Sequence, residues 1–384
     1  MPVARFLRDH WQKRPLLVRG AFPKWKDPLT PEELAGLACE DDVESRIVRE
    51  KGGRVPWEVF YGPHSEQRFR KMPARGWTFL VQEANRHVPD LARLLDRFSF
   101  IPNVRVDDVM VSYAAPGGSV GAHLDSYDVF LVQGSGKRRW KWGNAPPKDA
   151  SFVADLELRI LRKFFPDEDE VLEAGDMLYL PPGVAHHGIA KTSCLTYSVG
   201  FRAPSHGEMV ADFARSSFAV AAPAALLGDP ALLPDQNPGA IPKAMLARVR
   251  AVVRAVDTSD AAIDRWFATF ATRLRPGSSP SAPAHALTQK AIVDRLARGI
   301  VVERSEEGRF AFLPRLRGEL LLYYGGQEIR VPALAAPLAR AICSRRVLPA
   351  SEIVSLSRPR AAKALLVELF AKGALRFGNR RRED

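Results

Sequence analysis

Apolar and polar positions alternate in short runs over the first half of the chain. "RPLLVRG" (14–20), "WTFLVQ" (77–82), "DVMVSYAAPGG" (108–118), "DVFLVQGSG" (128–136), "DMLYLPPG" (176–183) and "LTYSVGFRAP" (195–204) all have strand character. Glycine and proline punctuate them, and many short strands separated by turns predict a barrel or jelly roll. Helical spacing marks the edges of this region. "TPEELAGLAC" (30–39) opens with a threonine cap and acids in its first turn, and "NRHVPDLARLLDRF" (85–98) repeats apolar residues at helical intervals.

From residue 206 the period changes. "HGEMVADFARSSFAV" (206–220), "KAMLARVRAVVRAV" (243–256) and "TSDAAIDRWFATFATRL" (258–274) read as amphipathic helices, the first two separated by a Pro/Gly-rich connector at 222–242. So small a helical region buries little by itself and is expected to pack on the barrel or on a second copy. "RPGSSPSAPAHA" (275–286) is a linker. Beyond it, "TQKAIVDRLARG" (288–299) is a helix, and "RFAFLPR" (309–315) and "ELLLYYGGQEIRVP" (319–332) are strand-like runs. "APLARAICSRR" (336–346) and "PRAAKALLVELFAKGALRFG" (359–378) are helical, the last ending in a short strand. The pattern divides the 384 residues into a barrel at 1–205, a helical region at 206–280 and a winged-helix-like domain at 285–384.

Composition narrows the picture. The 46% hydrophobic and 26% charged shares are ordinary for a globular protein. No apolar run approaches the roughly 18 residues of a membrane span, and "MPVARFLRDHWQKRP" lacks the apolar core of a signal peptide. A cytoplasmic protein is expected. Cys39, Cys194 and Cys343 are far apart with no CxxC, which fits reduced thiols rather than a disulfide framework or a structural zinc site. The formal charge of +12 points to polyanionic surroundings such as nucleic acid or ribosomes, or to a generally arginine-rich composition.

The candidate chemistry begins in "GAHLDSYDVFLVQGSGKRRWKW" (121–142). On a strand, His123 and Asp125 share one face about 7 Å apart, close enough to converge on one divalent ion. A lone HxD is a weak signal, because many buried histidines merely bond a neighbour. "GDMLYLPPGVAHHG" (175–188) strengthens it: a strand halts at a Pro-Pro-Gly turn that presents a histidine. Read together, "GGSVGAH" (117–123) with Asp125 and "GDMLYLPPGVAH" (175–186) resemble the two cupin motifs, with Asp in the second ligand place. That spacing selects His186 over His187. Two histidines and a carboxylate form the facial triad of non-haem iron(II) oxygenases, and catalytic zinc uses the same donor set.

The Gly134-Ser135-Gly136 turn is expected to reverse the chain into "KRRWKW" (137–142). Alternation puts Arg138, Trp140 and Trp142 on one face, and the tryptophans mark it as the inward one. An inward arginine needs an anion. Asp125 would make a purely structural pair. A bound dicarboxylate, gripped bidentately by the guanidinium, is the functional alternative. A metal with open positions and a cation deeper in the barrel suit 2-oxoglutarate.

With these residues in place the chain resembles the JmjC-type 2-oxoglutarate oxygenases of the cupin superfamily, and more closely the bacterial ribosomal oxygenases. The resemblance rests on "DHWQKRPLLVRGAF" (9–22), "PEELAGLACEDDVESRIV" (31–48), 107–143, "EAGDMLYLPPGVAHHGIA" (173–190) and "TYSVGFRAP" (196–204). It implies an α+β fold: a double-stranded β-helix (the cupin/JmjC jelly roll), a helical dimerisation region and a C-terminal winged-helix-like domain. It implies Fe(II) held by His123, Asp125 and His186, with 2-oxoglutarate and dioxygen as cosubstrates. It implies a dioxygenase that hydroxylates an arginine β-carbon in ribosomal protein number sixteen of the large subunit, and a homodimer. Arg138 would hold the 2-oxoglutarate carboxylate, with Tyr197 and Ser198 as wall residues. One departure is His187, which stands where relatives often carry an acid. Another is the positive charge, awkward for a basic substrate.

Three rivals stand beside this reading. The same site suits N-methyl-lysine demethylation or hydroxylation of another protein. A winged-helix nucleic-acid binder with a cupin sensor draws on the charge and on "RFGNRRRED" (376–384). A zinc isomerase would not need Arg138. Trp11 and His10 read as packing and capping residues, and His64, His87, His206 and His285 as surface or loop residues.

Overall fold

Strands buried on both faces read as nearly continuous apolar runs, and the central strands here are of that kind. The computed structural model describes residues 1–51, 57–154, 156, 158–220, 226–227, 239–275 and 287–378. Most of the 222–242 connector, the linker beyond Arg275, His285 and residues 379–384 lie outside them. The described chain forms two units, Met1–Ala203 and Pro204–Asp384.

The first unit holds β1 (Leu16–Val18), β2 (Ser45–Glu50), β3 (Trp57–Tyr61), β4 (Trp77–Val81), β5 (Val106–Ala114), β6 (His123–Leu124), β7 (Asp128–Gln133), β8 (Arg138–Trp142), β9 (Glu168–Leu172), β10 (Met177–Leu180), β11 (Ala185–Ala190) and β12 (Cys194–Phe201). Its helices are α1 (Val3–Asp9), α2 (Pro31–Leu37), α3 (Glu66–Arg70), α4 (Ala84–His87) and α5 (Pro89–Leu94). Eight strands form one sheet in the order β1-β10-β7-β12-β5-β4-β2-β3, and four form a second, β6-β11-β8-β9. The pairings are antiparallel, and the two sheets make the expected double-stranded β-helix.

Alternation along each strand assigns the two faces. Val109, Val111, Phe130, Val132, Tyr179, Leu195, Tyr197 and Val199 share a core with Phe6, Leu34, Leu91 and Leu94 of the flanking helices. Their neighbours Val129, Leu131, Leu178 and Leu180 pack instead with Trp140, Trp142 and Leu172 of the second sheet. The larger sheet therefore has a helix-covered face and a face turned into the barrel.

One expectation changes, and three strands were not read from the sequence. Residues 134–136 do not close a hairpin: β7 lies in the larger sheet, while β8 pairs with β9 and β11 in the smaller one. The chain crosses between sheets there. Gly136 has φ +75°, and a Cβ on it would meet the Ser193 carbonyl oxygen. The unread strands β2, β3 and β9 carry charges that hide their period. Their pairing is instead reinforced across strands, by Arg49 with Glu58 and Arg139 with Asp169.

The second unit contains α6 (His206–Val220), α7 (Lys243–Arg254), α8 (Asp260–Thr272), α9 (Gln289–Ala297), α10 (Ala336–Ser344), α11 (Ala350–Leu356) and α12 (Arg360–Ala371). Its strands are β13 (Val302–Arg304), β14 (Phe310–Pro314), β15 (Leu320–Tyr324), β16 (Gln327–Val331), β17 (Val347–Leu348) and β18 (Leu375–Phe377). They form two small sheets, β17-β13-β18 and β14-β15-β16. The run at 319–332 holds two strands, joined where Gly325 and Gly326 take positive φ. One apolar core joins α9, α10, α11 and α12 to one face of the hairpin sheet. The other face carries Leu321 and Tyr323, which pack on Ala268 of α8. The last helix of the expected helical region is thus seated on this sheet. Among the described residues no helix is long and apolar enough to cross a membrane.

The helix signal at Thr30 is realised in full. Its hydroxyl accepts from the Glu33 amide at 3.2 Å, and the Glu33 carboxylate accepts from the Thr30 amide at 2.7 Å. This reciprocal cap satisfies two donors that the first helical turn leaves open. Thr30→Ala is expected to lower stability by about 1 kcal/mol, read from the urea midpoint at unchanged slope.

Candidate metal centre

The register of the smaller sheet brings the two histidines together. His123 on β6 is paired directly with His186 on β11, and their ring centroids are 4.3 Å apart. The strand ends at Leu124, so Asp125 leaves the sheet and turns back. Its carboxylate oxygens lie 3.8 Å from His123 Nε2 and 3.4 Å from His186 Nε2. One ligand atom from each of the three residues lies within 4.8 Å of the others. The Gly183 amide donates to the Asp125 carbonyl at 2.7 Å, which ties the two ligand-bearing segments to each other.

Both imidazoles are oriented in the same way. His123 Nδ1 is 3.0 Å from the Gly121 carbonyl, and His186 Nδ1 is 3.0 Å from the Val184 carbonyl. A carbonyl only accepts, so each Nδ1 carries the proton and each Nε2 offers its lone pair to the shared space. Protonation states agree. Burial, helped by neighbouring His186, pulls His123 down to about 4. Burial pushes Asp125 upward, but His123, His186 and the Tyr127 hydroxyl outweigh it and hold the carboxyl at about 2. At neutral pH the site offers a neutral His123 imidazole and an ionised carboxylate. Two nitrogens and one oxygen on one side of an ion fit a facial triad with the remaining positions open. His187 is not part of this set: its Nε2 lies 3.0 Å from the Ser119 hydroxyl.

Arg138 projects into the same cavity, whose volume is about 280 Å³. Only 3% of the residue is exposed. Its Nη1 donates to the Ser112 hydroxyl at 3.2 Å and to the Thr196 hydroxyl at 3.3 Å, two residues paired across β5 and β12. Nη2 reaches the Gly188 carbonyl at 3.5 Å, and the guanidinium lies over the Trp140 ring. Nε has no partner. Among the described residues no carboxylate pairs with Arg138, and burial pulls its pKa below the ordinary value. The alternative of an Arg138–Asp125 pair is therefore set aside, since Asp125 is turned to the two histidines. The guanidinium seat depends on Gly188, where a Cβ would stand 2.7 Å from Arg138 Nε and from the Trp140 ring.

Ser198 lines the cavity with Ser112, Thr196, Tyr127 and Trp140. Tyr197 does not: it points to the helix-covered face, and its hydroxyl donates to Asp27 at 3.0 Å. His64 is buried rather than superficial, with neither ring nitrogen bonded among the described residues. Trp11 packs against Tyr179 and Phe130, and His10 Nδ1 meets the Pro15 carbonyl at 3.1 Å. Ser112, Thr196, Tyr127 and Gly188 were missed from sequence. For Ser112 and Thr196 the available signal was a hydroxyl on the inward face of a buried strand.

Comparison with known proteins shows the family. A JmjC domain model matches residues 93–209, and a ROXA-like winged-helix model matches 254–376. Ribosomal protein uL16 3-hydroxylase of Escherichia coli is 35% identical over 306 residues, covering 78% of this chain and 79% of the relative. The chain belongs to that hydroxylase family. A probable ribosomal oxygenase of Haemophilus influenzae is 42% identical over 210 residues, covering 53% of this chain and 50% of the relative. The X-ray structure of E. coli YcfD superposes with TM-score 0.83 at 31% identity and covers 98% of each chain. The structure of that ribosomal oxygenase with cobalt and 2-oxoglutarate gives TM-score 0.80 at 32% identity over 99% of each chain.

Cobalt(II) titrated into the protein under argon should give a visible absorption band with one-site saturation. His123→Ala, Asp125→Ala and His186→Ala should each weaken binding by more than the roughly 10- to 100-fold that loss of an outer hydrogen-bond partner costs.

Proposed function

We propose that the chain is an Fe(II)- and 2-oxoglutarate-dependent dioxygenase that hydroxylates the β-carbon of an arginine in ribosomal protein uL16. The observation that carries this reading is the pairing of a triad, His123, Asp125 and His186, with a buried guanidinium that no carboxylate of the described chain neutralises. A dicarboxylate answers both demands, as ligand to the metal at one end and as anion at the other. His123, Asp125 and His186 would hold the iron, and Arg138 with the Ser112 and Thr196 hydroxyls would hold the distal carboxylate. When bound, iron would activate dioxygen, and 2-oxoglutarate would supply two of the electrons that reduce it. The chain's own part is to keep His123 neutral and Asp125 ionised, aim the cosubstrate and exclude water. Val129, Leu131 and Trp140 do the last on the cavity wall. A zinc isomerase leaves Arg138 unused, which disfavours it.

Charge distribution removes the difficulty of a basic substrate. Residues 1–203 carry 29 lysines and arginines against 27 acids, whereas residues 204–384 carry 27 against 17. The unit with the metal site is nearly neutral, so it does not repel a basic protein. A cytoplasmic homodimer belongs to the same reading. The exposed Val249, Val252 and Val253 of α7 support a second copy as partner for the helical region. The surplus charge of the second unit supports contact with ribosomal RNA. Such contact should weaken steeply between 50 and 200 mM salt, as binding carried by phosphate contacts does. Fluorescence anisotropy with a labelled RNA hairpin reads this, and salt-independent binding would count against it.

Iron-loaded protein incubated with 2-oxoglutarate, air and uL16 should add one oxygen to a single arginine, located by mass spectrometry. His123→Ala and Arg138→Ala should abolish the addition. Gly188→Ala should raise the KM for 2-oxoglutarate by at least about tenfold, because its Cβ intrudes on the guanidinium seat, while cobalt affinity stays unchanged. Succinate formed without a modified arginine would move the target elsewhere. Absence of 2-oxoglutarate turnover with any protein substrate would sink the oxygenase reading.

A further inference from the structure

The His123 imidazole takes its orientation from the Gly121 carbonyl, and Gly121 is a poor anchor by itself. Its φ is +81°, a region glycine enters and leaves freely. Something must hold that residue if the carbonyl is to aim the ring. The Gly121 amide donates to the Ser119 hydroxyl at 3.0 Å. Ser119 is buried, and its oxygen is in turn 3.0 Å from His187 Nε2. A continuous chain therefore runs from His187 to Ser119, through the amide and carbonyl that flank the Gly121 Cα, to His123 Nδ1.

The rest of this segment is tied down around that point. Gly117 donates to the Ala190 carbonyl at 2.8 Å, Ala190 donates to the Gly118 carbonyl at 3.0 Å, and Leu161 donates to the Ala122 carbonyl at 2.8 Å. These are backbone contacts, indifferent to side-chain identity. The Ser119–His187 contact is the side-chain tie at its centre. His187 also follows His186 on the same strand, so alternation turns the two rings to opposite faces of β11. One face presents a ligand, and the next residue braces the segment that orients the other histidine.

We infer that His187 is a positioning residue for His123, acting through Ser119 and Gly121. The inference rests on the reading of His123, Asp125 and His186 as a metal site. The Ser119 oxygen already accepts from Gly121 and keeps a proton and a lone pair for His187, so any side chain with a donor or acceptor at the Nε2 position serves. Glutamine places its amide there, and alanine removes the tie.

Cobalt(II) affinity, read from visible absorption, tests this without turnover. His187→Ala and Ser119→Ala should each weaken cobalt about tenfold, and the double variant should bind no worse than Ser119→Ala alone, as expected for members of one chain. His187→Gln should return affinity to within about twofold of wild type. With cobalt saturating, 2-oxoglutarate affinity should be the same in wild type and His187→Ala, because the Arg138 seat lies outside the chain. If His187→Ala fails to fold, Ser119→Ala and His187→Gln decide. Wild-type cobalt affinity in the alanine variants, or a glutamine variant as weak as alanine, would overturn the inference. Wild-type protein that binds no cobalt would instead remove the metal reading beneath it.

Discussion

A buried guanidinium that no carboxylate of the described residues pairs is the constraint around which the barrel interior is organised. Taking a charge out of water costs several kcal/mol after relaxation, and an unpaired one recovers little of it. Arg138 recovers part through two hydroxyls, a carbonyl and the face of Trp140. These neutral partners come from both sheets, so the residue links β8 to β5 and β12. They leave its formal charge standing, which the carboxylate of the proposed cosubstrate would answer. A triad that could hold a metal and a buried cation, in one cavity, favour a ligand with two acidic ends more strongly than either feature alone.

The metal end uses one local device twice. In both histidines the Nδ1 proton is given to the carbonyl two residues earlier, and Nε2 is freed for the ion. The two segments then face each other through the His123–His186 register. That arrangement needs no helix and no long-range salt bridge. It needs an extended chain at each ligand and a sheet pairing that puts the ligands opposite. Asp125 escapes the strand geometry because the pairing stops one residue before it, and this lets its carboxylate turn between the two rings.

Much of this was legible in the sequence, because it is local. The Gly117–His123 and Gly175–His186 spacings encode the turns that present the ligands, and the alternation at 138–142 sets Arg138 on the face of the tryptophans. Thr30 and its capping partner were legible for the same reason. Non-local pairing was not. The turn at 134–136 looks like a hairpin until β8 is seen to pair with β11, some fifty residues later. Tyr197 and Ser198 are adjacent, and no local feature says which of them faces the cavity. The buried hydroxyls of Ser112 and Thr196 gain meaning only once Arg138 arrives from the other sheet. His64 lacked any periodic context, and its burial follows from the aromatic ring of Phe69 packed against it.

The period of two explains why core and site are inseparable here. On β5, Val109 and Val111 belong to the helix-covered core, while Met110 and Ser112 line the cavity. On β12, Tyr197 and Val199 belong to the core, while Thr196 and Ser198 line the cavity. Each core contact therefore fixes the aim of the cavity residue beside it, because slipping the register by one would exchange the two faces. The aromatic packing of Phe130, Tyr179 and Phe201 with the N-terminal helix is remote from the metal ligands. It nonetheless holds the strands at the register that delivers two hydroxyls to one guanidinium. Hydrophobic burial on the outer face of the larger sheet is what keeps the polar inner face in place.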